Sequence, residues 1–282
     1  MPNPLFFPKL VLTSTLVAFA MPAQAQPEGP PADDRNQLVI GVGGGIGPSY
    51  DGSDDYKFQP GGLVQGKVDG FDFAMRGLNL YVDLVRERPD SKVNVSIGPV
   101  AQLRLERTGG IKDARVALLG ERDAAIELGG YVGVAKRGLL NPYDSLGFDV
   151  SYVHDVAGTH KSYIVKPSVT YFTPLSRRNV ALLSLSADYV GAGYGRTYFD
   201  VPVIVAAGPT LSGYATSGAG FKSAGATLLL TQALGADARK GWSLFALSGY
   251  TKLLGQYKRS PIVSEAGAPN QFLGVVGIAY SF

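Results

Sequence analysis

The chain has 282 residues, 45% hydrophobic and 17% charged, with a formal net charge of +3, and it contains 37 Gly, 15 Tyr and no Cys. The many aromatic residues exclude a disordered chain, the absence of Cys excludes a disulfide scaffold, a thiolate zinc site and a Cys nucleophile, and the small net charge does not indicate nucleic acid as a partner. Low charge, with Gly at nearly twice its usual share of ~7%, favours an all-β chain that is not an ordinary soluble domain.

The start of the chain has the pattern of a secretory signal peptide. Lys9 is followed by an apolar segment over residues 10–20, and the A-x-A cleavage pattern ends at Ala25. The apolar segment is well short of the ~20 residues that a membrane-spanning helix needs. We therefore expect a signal peptide (1–25) cleaved after Ala25, a flexible Pro-rich leader (26–37) and a single domain (38–282).

Apolar and polar residues alternate through most of that domain. In residues 93–106, apolar side chains such as Val93, Val95 and Ile97 fall at every second position. Successive side chains of a strand point to opposite faces, so the segment has one apolar face and one polar face. A transmembrane strand needs only ~9–11 such residues. An open sheet edge in hydrocarbon leaves backbone groups unpaired, so we predict an all-β fold that closes into an antiparallel transmembrane β-barrel.

Ten segments have the length and alternation of spanning strands: 38–47, 71–83, 93–106, 123–136, 144–154, 161–173, 179–190, 219–234, 241–253 and 271–282. Bacterial barrels have an even number of strands, so we place the short alternating piece 62–68 in a hairpin within the first outer loop. Twelve strands would arise if part of 191–218 also spans. Ten strands give short periplasmic turns, and long outer loops at 48–70, 107–122, 191–218 and 254–270.

The strand ends carry aromatic residues that suit the two interfacial girdles of a membrane barrel, namely Tyr152, Tyr163, Tyr171, Tyr189, Tyr280 and Phe282. The final strand, with Ile278, Tyr280 and Phe282 on one face, resembles the C-terminal assembly signal of bacterial outer-membrane proteins. This resemblance implies the barrel assembly machinery and outer-membrane lipid as partners. It also implies the outer membrane of a Gram-negative bacterium as the location.

Further segments resemble the MipA/OmpV family, over a stretch from about residue 38 to the end. The first segment is similar to a motif near the mature N-terminus of that family, and the second to its tail. The residues concerned are Tyr50, Gly52, Ser53, Asp54, Asp55, Tyr56 and Pro60 in the first segment, and Ser260 and Pro261 in the second. The family often has an acidic stretch just before Ser-Pro, whereas residues 256–259 are Gln-Tyr-Lys-Arg here. The resemblance implies an outer-membrane scaffold that docks a lytic transglycosylase and a murein synthase.

No catalytic, cofactor-binding or metal-binding residues are predicted. His154 and Asp155 are adjacent, so on a strand they point to opposite faces and cannot pair directly. Asp51, Ser53 and Asp55 resemble the start of a calcium loop, but Gly62 stands where the bidentate Glu is needed. We interpret this segment as a turn whose side chains bond their own backbone. A protein that is not an enzyme is expected.

Several charged residues are predicted to face the lumen, namely Arg104, Glu106, Glu127, Lys166 and Asp188. Paired across strands, they would plug a narrow barrel, since side chains can fill barrels of about eight strands. We therefore expect poor conductance. The alternative to a scaffold is a small outer-membrane channel or a surface receptor or adhesin that uses loops 191–218 and 254–270.

Overall fold

The computed structural model describes residues 37–86, 91–203, 209–235 and 240–282. The predicted signal peptide and the predicted leader up to residue 36 lie outside the described residues. Within them, twelve antiparallel strands form a closed barrel in which the last strand pairs with the first. The strands are β1 (Gln37–Pro48), β2 (Tyr56–Val68), β3 (Phe71–Arg76), β4 (Asn79–Val82), β5 (Val93–Arg104), β6 (Ala125–Arg137), β7 (Ser145–Asp155), β8 (Tyr163–Pro174), β9 (Asn179–Val190), β10 (Gly220–Ala233), β11 (Gly241–Leu253) and β12 (Asn270–Ser281).

The described parts of the connections contain four short helices: α1 (Ala114–Ala117), α2 (Ala192–Tyr198), α3 (Gly255–Arg259) and α4 (Pro261–Ser264). Among the described residues, no helix combines the length and the apolar character needed to cross a bilayer.

The predicted closed antiparallel barrel is confirmed, with twelve strands in place of the favoured ten. The placement of 62–68 in a loop hairpin was wrong, because this piece is the second half of β2, which pairs with β1 along its length. The segment 71–83 is not one strand but two, because Gly77, at a φ of +65°, allows a two-residue turn between β3 and β4. The two changes add two strands and keep the number even. The described parts of the loop 191–218, which are residues 191–203 and 209–218, supply no spanning strand.

The outer surface of the barrel is an apolar belt. Four outward side chains of β6 are 44–55% exposed: Ile126, Leu128, Val132 and Val134. Aromatic pairs flank the belt on both sides. Tyr152 stacks on Tyr163 at 5.9 Å between ring centroids near one end, and Trp242 meets Tyr280 at 5.1 Å near the other. This arrangement matches the girdles predicted from the strand-end aromatics.

The two ends of the barrel differ. Gln37 and Phe282 lie at one end, which we call the terminal end, together with the connections β2–β3, β4–β5, β6–β7, β8–β9 and β10–β11. The opposite end, which we call the loop end, carries the long connections β5–β6, β9–β10 and β11–β12 and the shorter β1–β2 and β7–β8 connections, whereas the β3–β4 turn at residues 77–78 lies partway along the wall. The predicted long loop 48–70 is in fact a short connection over residues 49–55, because β2 begins at Tyr56.

Candidate functional site

The loop end of the barrel is filled by folded connections, which we call the plug: residues 49–55, 105–124, 191–203, 209–219 and 254–269. The plug inserts aromatic residues into the barrel. Tyr194, Tyr198 and Phe199 from α2 and its C-cap are at most 2% exposed and pack with wall residues such as Val153 and Val190. A second buried cluster joins the connections to one another, and its members are Tyr50, Val116, Val201, Leu211, Ile262 and Ala266.

The helix α2 can pack closely against the neighbouring connections because it contains glycines. A Cβ on Gly193 would lie 2.3 Å from the backbone oxygen of His160, and one on Gly195 would lie 2.7 Å from the Thr216 hydroxyl. Both distances are shorter than real Cβ contacts, so a larger side chain would push α2 out of the barrel.

The motif segment 49–56 forms a tight turn inside the plug. Ser53 Oγ accepts a hydrogen bond from the Asp55 N–H at 3.1 Å and lies 2.8 Å from Ser49 Oγ. Tyr50 is 4% exposed and belongs to the second cluster. Side-chain bonding to the local backbone agrees with the turn interpretation of this segment.

The structure brings the first and last family segments together. The Gly52 N–H donates to Gln271 Oε1 at 3.2 Å, and the Gly52 carbonyl accepts from the Ala268 N–H at 2.8 Å. Ser53 forms a β-bridge with Gly267. Ser260 Oγ donates to the Phe199 carbonyl at 2.6 Å and so ties the tail to α2. Gly267 is a partner that sequence reasoning missed, since its backbone groups carry no signal in one sequence.

The remaining predicted site residues lie apart from this contact. Asp54 is exposed, and the Tyr56 hydroxyl accepts the N–H of Phe272 at 3.1 Å. Pro60 lies within β2, away from the plug. Pro261 is the first residue of α4 and is buried. The predicted assembly signal, Ile278, Tyr280 and Phe282, lines the outer face near the terminal end, where Phe282 is 63% exposed.

Beneath the turn, Lys222 joins the plug to the wall. Its ammonium contacts Asp51 of the turn and lies 3.3 Å from Asp188 of β9, which in turn lies 3.7 Å from Lys166. Strand alternation would place Lys222 on the outer face, but a β-bulge between Phe221 and Ser223 turns it inward, where it is 4% exposed. This irregularity is why sequence reasoning missed Lys222.

A second ion pair lies on the neighbouring wall. Arg104 of β5 makes a two-bond contact with Glu127 of β6, at 2.9 and 3.3 Å. Glu127 Oε1 also lies 2.8 Å from His160 Nε2, and both side chains are fully buried. Of the five charges predicted to pair across strands, Arg104 pairs with Glu127 and Lys166 with Asp188, each across two neighbouring strands. The fifth, Glu106, lies in the β5–β6 connection and accepts the Asp51 N–H instead.

Tyr194 connects the two ion pairs. Its ring centre lies 5.2 Å from the Arg104 guanidinium carbon and 5.4 Å from Lys222 Nζ, so a cation faces the ring from each pair. Its hydroxyl accepts from Arg104 at 3.3 Å and donates to Asp51 at 3.5 Å. Burial raises the pKa of Tyr194, so the ring stays neutral and serves as a hydrogen-bonding spacer.

Two acidic residues of the plug, Asp51 and Glu106, are in contact. Glu106 lies in the β5–β6 connection, and its Oε1 accepts the Asp51 N–H at 2.7 Å. Burial raises the pKa of Asp51, but the Lys222 ammonium outweighs it, so the net shift is downward. Burial and the nearby Asp51 carboxylate raise the pKa of Glu106 to about 7. Asp51 therefore holds the charge, and Glu106 changes protonation near neutral pH.

The two ion pairs, Tyr194 and Glu106 form a closed structural centre. Among the described residues, no group of three or more His, Asp or Glu side chains could hold a metal ion. Each buried acid of the centre contacts a cation, a hydroxyl or a backbone N–H, as the cost of burying unpaired charge requires.

A protein-family model described as MltA-interacting protein MipA matches residues 40–282. The chain belongs to this family. The resemblance noted in the sequence to the MipA/OmpV family is thereby confirmed. No curated protein matches the chain significantly.

The barrel is also similar to solved structures. It matches the NanC porin with a TM-score of 0.50 and 8% sequence identity, covering 86% of this chain and 98% of that one. It matches the COG4313 outer membrane channel from Pseudomonas putida F1 with a TM-score of 0.46 and 13% identity, covering 92% and 100%. At this identity, the likeness to NanC shows the fold alone. With its apolar belt, closed barrel and family, the chain is an outer-membrane β-barrel protein.

Proposed function

We propose that this MipA-family protein is an outer-membrane scaffold whose terminal end docks a murein hydrolase and a murein synthase. The family description names MltA as a partner. Short turns of bacterial barrels lie in the periplasm, which is where murein enzymes work. The terminal end, which carries the short turns, is therefore the docking face in this proposal.

The observation that carries the proposal is the chemistry of the terminal turns. Four of these turns expose leucines, with exposed fractions of 56–82%: Leu84, Leu140, Leu175 and Leu234. Exposed cations accompany them on three of the four turns: Arg86, Lys92, Arg177, Arg178 and Lys240. We call these nine residues the terminal rim. Single exposed leucines need no explanation, but four of them among cations fit a partner with apolar pockets and an acidic surface.

The size of the turns limits what can bind. A stable interface buries roughly 1,200 Å² or more in total, which one short turn does not offer. A docked enzyme must therefore span several turns of the terminal rim at once. The cations then steer its approach and fix its orientation, since complementary charge affects the rate and geometry of association more than raw affinity.

The plug favours a scaffold function for this protein rather than a channel function. Its aromatic cluster and ion pairs fill the loop end between opposite walls of the barrel. A solute would have to separate these buried charge pairs to pass, and leaving a buried charge without its partner is costly.

In-cell crosslinking tests the docking face. A photoreactive amino acid at Leu140 or Leu175 should capture a murein enzyme, whereas the same residue at Val203, which is 84% exposed at the loop end, should not. Mass spectrometry of the adducts identifies the partner. Capture of murein enzymes from Val203 alone, or of neighbouring barrels alone at every position, would refute the proposal.

A charge-reversed pair sharpens this test. Arg177→Glu with Arg178→Glu should reduce the adducts strongly, because it inverts the charge of the β8–β9 turn and lowers the charge of the terminal rim from +5 to +1. Lys258→Glu with Arg259→Glu is the matched control, since it reverses two adjacent exposed cations at the loop end and should leave the adducts unchanged.

A further inference from the structure

The barrel wall is incomplete beside β2. This strand pairs with β1 from Tyr56 to Lys67 but with β3 only from Val64 to Val68. The short strands β3 and β4 turn back at residues 77–78, and β4 meets β5 only as far as Gln102. Within the described residues, no strand therefore lies on the second side of Tyr56–Leu63.

We call the resulting gap the window: it lies between Tyr56–Leu63, the turn at 77–78, and residues 103–106 at the end of β5. Three inter-strand spacings separate β2 from β5, so the window is about 14 Å wide. Its upper end is closed by Lys112, whose Nζ donates to the Tyr56 carbonyl at 3.1 Å. The space beside it is open: a Cβ on Gly77 would meet nothing within 4 Å among the described atoms, and one on Gly62 only the Gly41 oxygen at 3.9 Å.

The pairing pattern shows which backbone groups face the window. The Ser49 N–H donates to the Asp55 carbonyl, and bonded pairs alternate along an antiparallel ladder. Odd-numbered residues of β2 therefore bond to β1, and even-numbered residues direct their backbone groups to the other side. In the window these are Tyr56, Phe58, Pro60 and Gly62, of which Pro60 has no N–H to offer.

The window lies at the depth of the apolar belt. Phe58 and Gly62 pair in register with Ile46 and Val42 of β1, whose outward side chains are 61% and 64% exposed. Lipid chains are therefore the molecules next to it. Proline on an edge strand blocks the addition of another strand, so Pro60 argues against a partner strand as the occupant.

The side chains around the window change from charged at its upper end to apolar below. Lys112 is exposed at its upper end. Below it, four outward side chains are 38–48% exposed: Leu78, Leu80, Leu103 and Leu105. A cation above an apolar slot complements a lipid whose phosphate sits above its acyl chain.

We propose that the window is a binding site for a phosphate-bearing membrane lipid, with its headgroup at Lys112 and one acyl chain along Pro60–Gly62 between the flanking leucines. The site is independent of the docking function proposed above. Its acyl slot lies in the wall outside the terminal rim, and only its upper end, at residues 105–106 and Lys112, belongs to the plug.

Photolabelling in a defined bilayer tests this site. The full mature protein is reconstituted in phosphatidylcholine vesicles that contain phosphatidylglycerol with a diazirine in its acyl chain. After irradiation, peptide mapping should find labelled residues within 57–63, 78–80 and 103–105 several times more often than in the outer belt of β6 and β7. Equal labelling of the window and the β6–β7 belt would overturn the proposal.

Two variants extend the test. Lys112→Gln should lower window labelling about fivefold, the loss expected for one lysine–lipid attraction, while Lys252→Gln, an exposed lysine at the loop end of β11, should not. Circular dichroism checks that both variants fold. An unchanged signal in Lys112→Gln, or disulfide-linked dimers of a Gly62→Cys variant in the otherwise Cys-free chain, would show that a lipid is not the occupant.

Discussion

At the scale of single residues, the stability of the plug depends on positions where an added side-chain atom or a change of charge would disturb the packing. Gly52 is the sharpest case. Its φ is +96°, and an added Cβ would lie 2.5 Å from a methyl group of Val263. Both the backbone conformation and the space therefore select glycine at the centre of the family motif.

Gly52→Ala should destabilise the protein by about 2 kcal/mol or more, because overpacking typically costs 1–3 kcal/mol and Ala at positive φ adds strain. The urea midpoint in vesicles measures the loss. Gly274→Ala in β12 is the control, since a Cβ on Gly274 would meet nothing within 4 Å among the described atoms, and this variant should unfold close to the wild type. Equal midpoints for the two variants would contradict this account of the turn.

Glu106 gives the plug a pH response. Its pKa is about 7 in the folded protein, above the ordinary value of ~4.3 that applies to the unfolded chain. Between these two values the folded state holds a proton on Glu106 that the unfolded chain has released. The contribution of this proton to the free energy of unfolding is complete below pH ~4.3 and is lost as the pH rises through 7.

Glu106→Gln keeps an acceptor for the Asp51 N–H without the charge, so it should be more stable than the wild type at pH 8 by about 2–3 kcal/mol and nearly equal at pH 4. Urea unfolding at several pH values measures this. Parallel pH curves for the two proteins would show that Glu106 does not titrate between these values.

At the scale of elements, alternation in the sequence was sufficient for nine of the ten predicted strands, because their outward residues must be apolar. It failed at β2, whose Gln-Pro-Gly-Gly stretch at 59–62 has few side chains to alternate. It failed again at Gly77, since a positive φ inside an alternating run leaves no trace in hydropathy. The bulge at Lys222 and the insertion of α2 were also beyond prediction, because both depend on contacts between segments distant in the chain.

At the scale of the whole molecule, the barrel is a closed ring of strands whose wall is open at the window and whose loop end is filled. In planar bilayers the wild-type protein should show low conductance, because the plug occupies the loop end. Tyr194→Ala should produce frequent openings, since it removes the ring between the two ion pairs.

Tyr152→Ala is the control for the conductance test, because Tyr152 stacks on the outer surface and does not touch the plug. It should behave as the wild type does. A steady porin-like current through the wild-type protein would contradict the role of the plug and favour a channel.

The pairing of β1 with β12, from Val39 opposite Ser281 to Ile46 opposite Gly274, has a kinetic consequence. This seam joins the segments most distant along the polypeptide, and contacts of such high order form slowly because loop closure costs entropy first. Until β1 and β12 have paired, both strands expose unpaired backbone N–H and C=O groups. The slow step in the biogenesis of this protein should therefore be the pairing of β1 with β12 that closes the barrel. Mutations along this seam should slow maturation more than they destabilise the folded protein.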